Sequence, residues 1–127
     1  MIYGIGIDII EVSRIEKQIS SERKRFREIL FSENEIKYCD DKKSKAQNYA
    51  ARFAAKEAFL KAIGTGLRDG LNWKNIEILN DELGKPEIVL HGKAKKIIKE
   101  NGISNINVSL SHLKETAVAV VILEKVM

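Results

Sequence analysis

The chain has 127 residues, 44% of them apolar and 31% charged, and a formal net charge of +4. That balance describes one globular domain over residues 1–127 with enough apolar sequence for a real core, and excludes a disordered or fibrous chain. The apolar run from Ala117 to Leu123 is far too short to span a bilayer, and Cys39 is the only cysteine, so no internal disulfide forms. Met1-Ile2-Tyr3-Gly4 leads straight into strand-like sequence, with no basic leader and no cleavage pattern. The expectation is a cytoplasmic protein with no signal peptide and no membrane partner.

Ile5, Ile7 and Ile9 alternate with Gly4, Gly6 and Asp8, the period of a strand. One face of it is β-branched. The other carries no side chain until Asp8, so another element can approach it closely. Val12, Ile15 and Ile19 then switch to helical spacing, and Ser20 or Ser21 is a candidate cap for a second short helix through Phe26, Ile29 and Leu30. Ser32-Glu33-Asn34-Glu35 has the form of a capping box, and Ser44-Lys45-Ala46-Gln47 repeats it before a long Ala-rich helix. Gly64-Thr65-Gly66 ends that helix. Ile76–Leu79 and Glu87–Leu90 flank a loop and predict a hairpin. Gly92 to Asn101 predicts a short basic helix. Ile106 to His112 and Val118 to Leu123 predict two further strands. The sum is an α+β domain: one largely antiparallel sheet with helices packed mainly on one face.

The long helix carries charge on two separate stripes. At about 100° per residue, Arg52 and Lys56 share one side, while Glu57 and Lys61 lie well round from them among apolar neighbours. An i, i+4 Glu–Lys pair accounts for the second stripe at a gain of only a few tenths of a kcal/mol. A second account joins it to Asp8. Two carboxylates brought together by helix–strand packing make a hard-oxygen site suited to Mg²⁺, with Lys61 aimed at the anion that the metal holds. For Asp8 the competing role is a turn or helix cap, since a helix follows it. His91 reads as structural or solvated. His112, after Ser111 at a strand end, fits a hydrogen-bonded filler and a phosphate contact equally.

Other chemistries fit less well. Gly4-Ile5-Gly6 lacks the third glycine of a dinucleotide fingerprint and lies inside the strand. There is no Walker motif, no zinc spacing and no nucleophile–base pair for acyl transfer. Two basic clusters account for the net charge. Lys93, Lys95, Lys96 and Lys99 read as a solvated helix face. Arg23, Lys24, Arg25 and Arg27, interrupted by Phe26, fit an anionic partner: a nucleotide, a nucleic acid, a membrane surface or an acidic protein. A nucleic-acid-binding module would use both clusters, but no recognisable reading motif is present. A metal-dependent nuclease remains a chemical rival that would use the same Asp8, Glu57 and Lys61.

Three blocks in order resemble the holo-acyl-carrier-protein synthases, small bacterial 4′-phosphopantetheinyl transferases. They are Ile2 to Ile9 with Arg14-Ile15, then Arg52 to Ala62 with Gly64-Thr65-Gly66, and Ser109-Leu110-Ser111-His112 before the terminal apolar strand. The resemblance implies transfer of 4′-phosphopantetheine from coenzyme A to a serine of apo-acyl carrier protein, releasing adenosine 3′,5′-bisphosphate, in support of fatty acid synthesis. It implies Mg²⁺ on Asp8 and Glu57, Lys61 on the pyrophosphate, and Glu57 or a metal-bound water as base. It further implies coenzyme A contacts from Arg52, Lys56, Gly64, Thr65, Gly66, Ser111 and His112. An acidic carrier would dock on Arg14, Arg23, Arg25 and Arg27, and the assembly would be a homotrimer with coenzyme A between subunits.

Overall fold

Strand β1 (Ile2–Glu11) and helix α4 (Lys45–Ile63) meet with their backbones almost in contact. A Cβ on Gly6 would collide with the carbonyl oxygen of Ala58, and one on Gly4 with that of Ala62. The alanines of α4, among them Ala54, Ala55, Ala58 and Ala62, supply the matching flat surface and are buried. The computed structural model describes residues 1–20, 24–68 and 70–126, with Lys24 given by its backbone alone.

Helices α1 (Val12–Ser20), α2 (Lys24–Leu30) and α3 (Glu33–Asp40) lie between β1 and α4 in the chain. A 3₁₀ turn (Trp73–Asn75) then leads into β2 (Ile76–Asn80) and β3 (Pro86–Leu90), and α5 (Gly92–Glu100) precedes β4 (Ile103–His112) and β5 (Thr116–Lys125). All ladders are antiparallel, and β5 lies centrally in the order β1-β5-β4. The strands divide into two sheets where one was expected. The β2–β3 hairpin pairs only with itself and packs beside β4, to which α5 returns the chain. Helix α4 crosses the face of the three-stranded sheet that carries Ala117, Ala119, Val121 and Leu123, all fully or almost fully buried. A second cluster, with Phe31, Cys39 and Tyr49 at its centre, packs α1, α2 and α3 against the first half of α4. The Cys39 thiol is fully buried there, and burial above all pushes its pKa up to about 12.

Local signals are met with two exceptions. Ser32 and Glu35 form a complete capping box, and Gly64 closes α4 in the left-handed region at φ 80°. The second box does not form. Ser44 makes no side-chain cap bond, because Asn48 donates to its hydroxyl and carbonyl, and the Gln47 side chain turns to His112. Ser20 caps no second helix either. It ends α1, its hydroxyl donating to the Glu16 carbonyl, and Ser21 lies outside the described residues. On α5 the lysines line the outer surface while Ala94 is buried, as a solvated basic face requires.

Glu77 on β2 is a nearly buried carboxylate that receives hydrogen bonds from Ser32 Oγ at 2.5 Å and Asn34 Nδ2 at 3.3 Å, and pairs with His91 Nε2 at 3.0 Å. Burial by itself would raise its pKa; the bonds from Ser32, His91 and Asn34 outweigh that and hold it below the usual carboxylate range. A carboxyl depressed in the folded state contributes stability above its unfolded pKa, about 4.3, and loses it as pH falls through the folded value. Urea midpoints measured from pH 7 to pH 3 should therefore show wild type well above Glu77→Gln at neutral pH. The gap should close below about pH 4.3. A gap independent of pH would mean that the Glu77 charge contributes nothing to stability.

Candidate active site

Close packing at Gly4 and Gly6 brings the next residue on that face of β1, Asp8, under the C-terminal half of α4. Asp8 is not at the end of its strand. The strand continues to Glu11, with Asp8 opposite Ala119, so the carboxylate points toward the helix and caps nothing. Lys61 Nζ donates to Asp8 Oδ1 at 2.9 Å and to the Ile7 carbonyl at 3.0 Å. Glu57, one turn earlier on α4, is half-buried. Burial first, then the charge of Asp8, pushes its carboxyl pKa up, and Lys61 partly offsets them. The structure thus joins Asp8, Glu57 and Lys61 in one electrostatic group at the helix C-terminus, where the backbone dipole favours a cation.

Beside this group is a cleft of about 450 Å³ lined by Glu57, Leu60, Lys61, Gly64, Gly66, Leu67 and Trp73. The lining combines the charged Glu57 and Lys61 with the apolar Leu60, Leu67 and Trp73. Gly64 and Gly66 both have positive φ, at 80° and 67°, with open space where a Cβ would be, so they serve the chain reversal and leave the backbone exposed. Thr65 is exposed between them, its hydroxyl donating to the Gly66 carbonyl.

The other charged stripe of α4 goes elsewhere. Lys56 is completely buried. Its amine donates to Glu35 Oε1 at 2.7 Å and to the Trp73 carbonyl at 3.0 Å, so it does not enter the cleft as expected of a coenzyme A contact. Arg52 is 2% exposed, stacks over the Tyr38 ring at 4.1 Å and donates through Nη2 to Asn80 Oδ1. Its Nε is the buried side-chain donor that lacks an acceptor among the described residues. Ser111 and His112 are exposed at the end of β4, and His112 Nδ1 lies 2.8 Å from Gln47 Oε1. Gln47 and Glu57 are ten residues apart on one helix, about 15 Å at 1.5 Å per residue. Within one chain, therefore, the His112 end and the Asp8 end of the site do not meet.

Arg14 and Arg25 are exposed on α1 and α2, and Phe26 packs into the second core cluster. Arg27 is held by Asp40 at 3.1 and 3.3 Å, and Arg23 lies outside the described residues. Three contributors escape sequence reading. Glu35 is visible as a capping residue but not as the partner of Lys56, 21 residues away. Gln47 is visible as a capping-box residue but not as the partner of His112, and Trp73 carries no local signal except that, as the only tryptophan, it stands between polar residues.

Comparison with known proteins places the chain in a family. A profile described as the 4′-phosphopantetheinyl transferase superfamily matches residues 4–121. A holo-[acyl-carrier-protein] synthase of Geobacter sp. (strain M21) is 50% identical over 125 residues, covering 98% of this chain and all of that protein. The crystal structure of the Neisseria meningitidis holo-[acyl-carrier-protein] synthase superposes with a TM-score of 0.90 at 38% identity, covering 98% of this chain and 100% of that one. The Bacillus anthracis holo-(acyl-carrier-protein) synthase, solved in complex with CoA (3′,5′-ADP), gives 0.81 at 40% identity over 99% of both chains. The match runs from the glycines of β1 through the charged end of α4 to the central strand, and the chain belongs to the 4′-phosphopantetheinyl transferase superfamily.

Proposed function

We propose that the chain is a holo-acyl-carrier-protein synthase. It transfers 4′-phosphopantetheine from coenzyme A to a serine of apo-acyl carrier protein, in the cytoplasm and in support of fatty acid synthesis. The observation that carries the reading is the meeting of Asp8, Glu57 and Lys61 beside a cleft, in a chain of this family. The serine oxygen attacks the phosphorus that bears pantetheine, and the bond to the bridging pyrophosphate oxygen breaks. Adenosine 3′,5′-bisphosphate leaves, and the serine proton passes to a base. Glu57, half-buried beside Asp8 at the cleft, is the base that this chain offers.

The donor set fits Mg²⁺. Asp8 and Glu57 offer hard oxygens, and among the described residues no third Asp, Glu, His or Cys joins them, which leaves positions for water and phosphate oxygens. When bound there, Mg²⁺ supplies charge neutralisation for the pyrophosphate. Lys61 adds a point charge from the last turn of the helix. Gly64 and Gly66 line the same cleft with exposed backbone, and Thr65 lies between them. Ser111 and His112 are assigned to the nucleotide end of coenzyme A, whereas Arg52, 2% exposed and bonded to Asn80, is held inside the fold.

A homotrimer brings the two ends of the site together. Ile5, Ile7 and Ile9 are 58%, 60% and 70% exposed on the sheet face away from α4, and Val118, Val120 and Ile122 of β5 continue that surface. Such a contiguous apolar sheet face marks an interface. Coenzyme A then lies between the Asp8 end of one copy and the His112 end of another. Arg14 and Arg25 receive the acidic carrier; Arg27, already paired with Asp40, adds less.

Incubation with coenzyme A, Mg²⁺ and apo-carrier should add one phosphopantetheine to the carrier by mass spectrometry. In the same assay Asp8→Asn and Glu57→Gln should remove most transfer while keeping the fold, with partial recovery at high Mg²⁺. No mass gain with the wild-type chain sinks the activity, and near-normal turnover of either variant at limiting Mg²⁺ sinks the metal assignment.

Charge reversal tests the docking face. Arg14→Glu and Arg25→Glu should raise KM for the carrier several-fold and leave that for coenzyme A nearly unchanged. The difference should shrink as salt shortens the Debye length from about 10 Å at 0.1 M to about 3 Å at 1 M. Equal losses for both substrates would move the carrier to another surface.

Ile7→Glu tests the assembly. Sedimentation should show a trimer for the wild type and a folded monomer without transfer for the variant. A wild-type monomer that retains full activity would refute the shared site.

A further inference from the structure

Among the described residues one ion pair has both side chains closed off from solvent, Glu35–Lys56, and it joins α4 to the 3₁₀ turn that lines the cleft. Both side chains are 0% exposed. Glu35 Oε1 accepts from Lys56 Nζ at 2.7 Å and from the Ser32 backbone N–H at 3.0 Å; Oε2 accepts from the Ile78 N–H at 3.1 Å. The Lys56 amine also donates to the Trp73 carbonyl at 3.0 Å and lies over the Phe31 ring. One carboxylate and one amine thus tie the start of α3, strand β2 and the 3₁₀ turn to α4.

Two of these ties end at the cleft. Trp73 lines it. Lys56 immediately precedes Glu57, so the inward direction of one fixes the direction of the other, about 100° round the helix. Desolvation offsets most of the attraction in a buried ion pair, so stability alone is a weak reason for having one. Directional bonds are what an apolar pair of the same volume would not provide.

We infer that Glu35 and Lys56 are positioning residues of the active site: their buried pair sets the roll of α4 that aims Glu57 at Asp8 and holds Trp73 at the cleft wall. The inference rests on the proposed transferase reading. It differs from a direct contact of Lys56 with coenzyme A, for which the amine has no exposure.

The test uses the full-length chain with Lys56→Met, Glu35→Gln and the double variant, each normalised to its folded fraction. Expected is a loss of about 10–100-fold in kcat in each single variant, the scale on which outer partners of metal ligands act. The Mg²⁺ concentration for half-activity should rise, and KM for the carrier, which docks on α1 and α2, should not change. Because the pair acts as a unit, the double variant should be no worse than the poorer single one. Trp73 emission needs no turnover. As the only tryptophan it should shift in the free variants, and its response to coenzyme A with Mg²⁺ should weaken.

Folded variants with wild-type kcat, Mg²⁺ requirement and Trp73 emission would overturn the inference, whatever their urea midpoints. So would a coenzyme A defect confined to Lys56→Met with Glu35→Gln normal, which would signify direct contact. If the single variants do not fold, the uncharged double variant decides: wild-type kcat and emission refute the pair's role, and reduced kcat with altered emission supports it. An inactive wild-type chain would sink the transferase reading instead, and the emission arm would still report on the pair.

Discussion

The contact on which the rest of the structure depends is the approach of α4 to β1 at Gly4 and Gly6. No side chain fits between the strand and the carbonyls of Ala58 and Ala62. An interior packed as densely as a crystal cannot absorb such a change by local give. The approach has a direct chemical result. Two residues beyond Gly6, Asp8 rises on the same face and finds the helix close enough to share an electrostatic group with Glu57 and Lys61. A wider helix–sheet spacing, of the ordinary kind set by Leu or Val, would separate the carboxylates.

Helix α4 uses its charges in two opposite ways. Arg52 and Lys56 turn into the protein, where Asn80, Tyr38, Glu35 and the Trp73 carbonyl answer them. Glu57 and Lys61 face a cleft and remain available to ligands. The helix is therefore buried along most of its length, with Tyr49 and Phe59 fully enclosed, yet it is not apolar. Charge on a buried helix must be neutralised by a partner inside the fold or by something that binds. The two stripes divide between those two solutions.

Much of this was legible in the sequence, for reasons of range. Strand alternation, the Ser32–Glu35 box, the Gly64 cap and the cleared face of β1 are local patterns, and each formed as read. The local reading failed where a distant residue competed. Gln47 left its expected box for His112, 65 positions away, and Lys56 was drawn inward by Glu35. Neither partner has a fixed spacing that a single sequence would reveal. The division of the strands into two sheets was hidden similarly, because β3 and β4 both read as strands and no local pattern says that they pack without pairing. Asp8 offered a turn or cap as its competing role because helical spacing begins at Val12, but the strand runs right up to that helix.

The buried Cys39 thiol has a consequence in redox chemistry. Coenzyme A and its phosphopantetheine product both end in a thiol, and thiol–disulfide exchange proceeds through a thiolate that can be reached. Cys39 is fully enclosed on the buried face of α3, with its pKa pushed up to about 12, so the folded chain presents no thiolate of its own. A synthase built this way can hold a thiol-terminated substrate through repeated turnover without forming a mixed disulfide with it, and changes in the surrounding redox poise reach the substrate without reaching the enzyme.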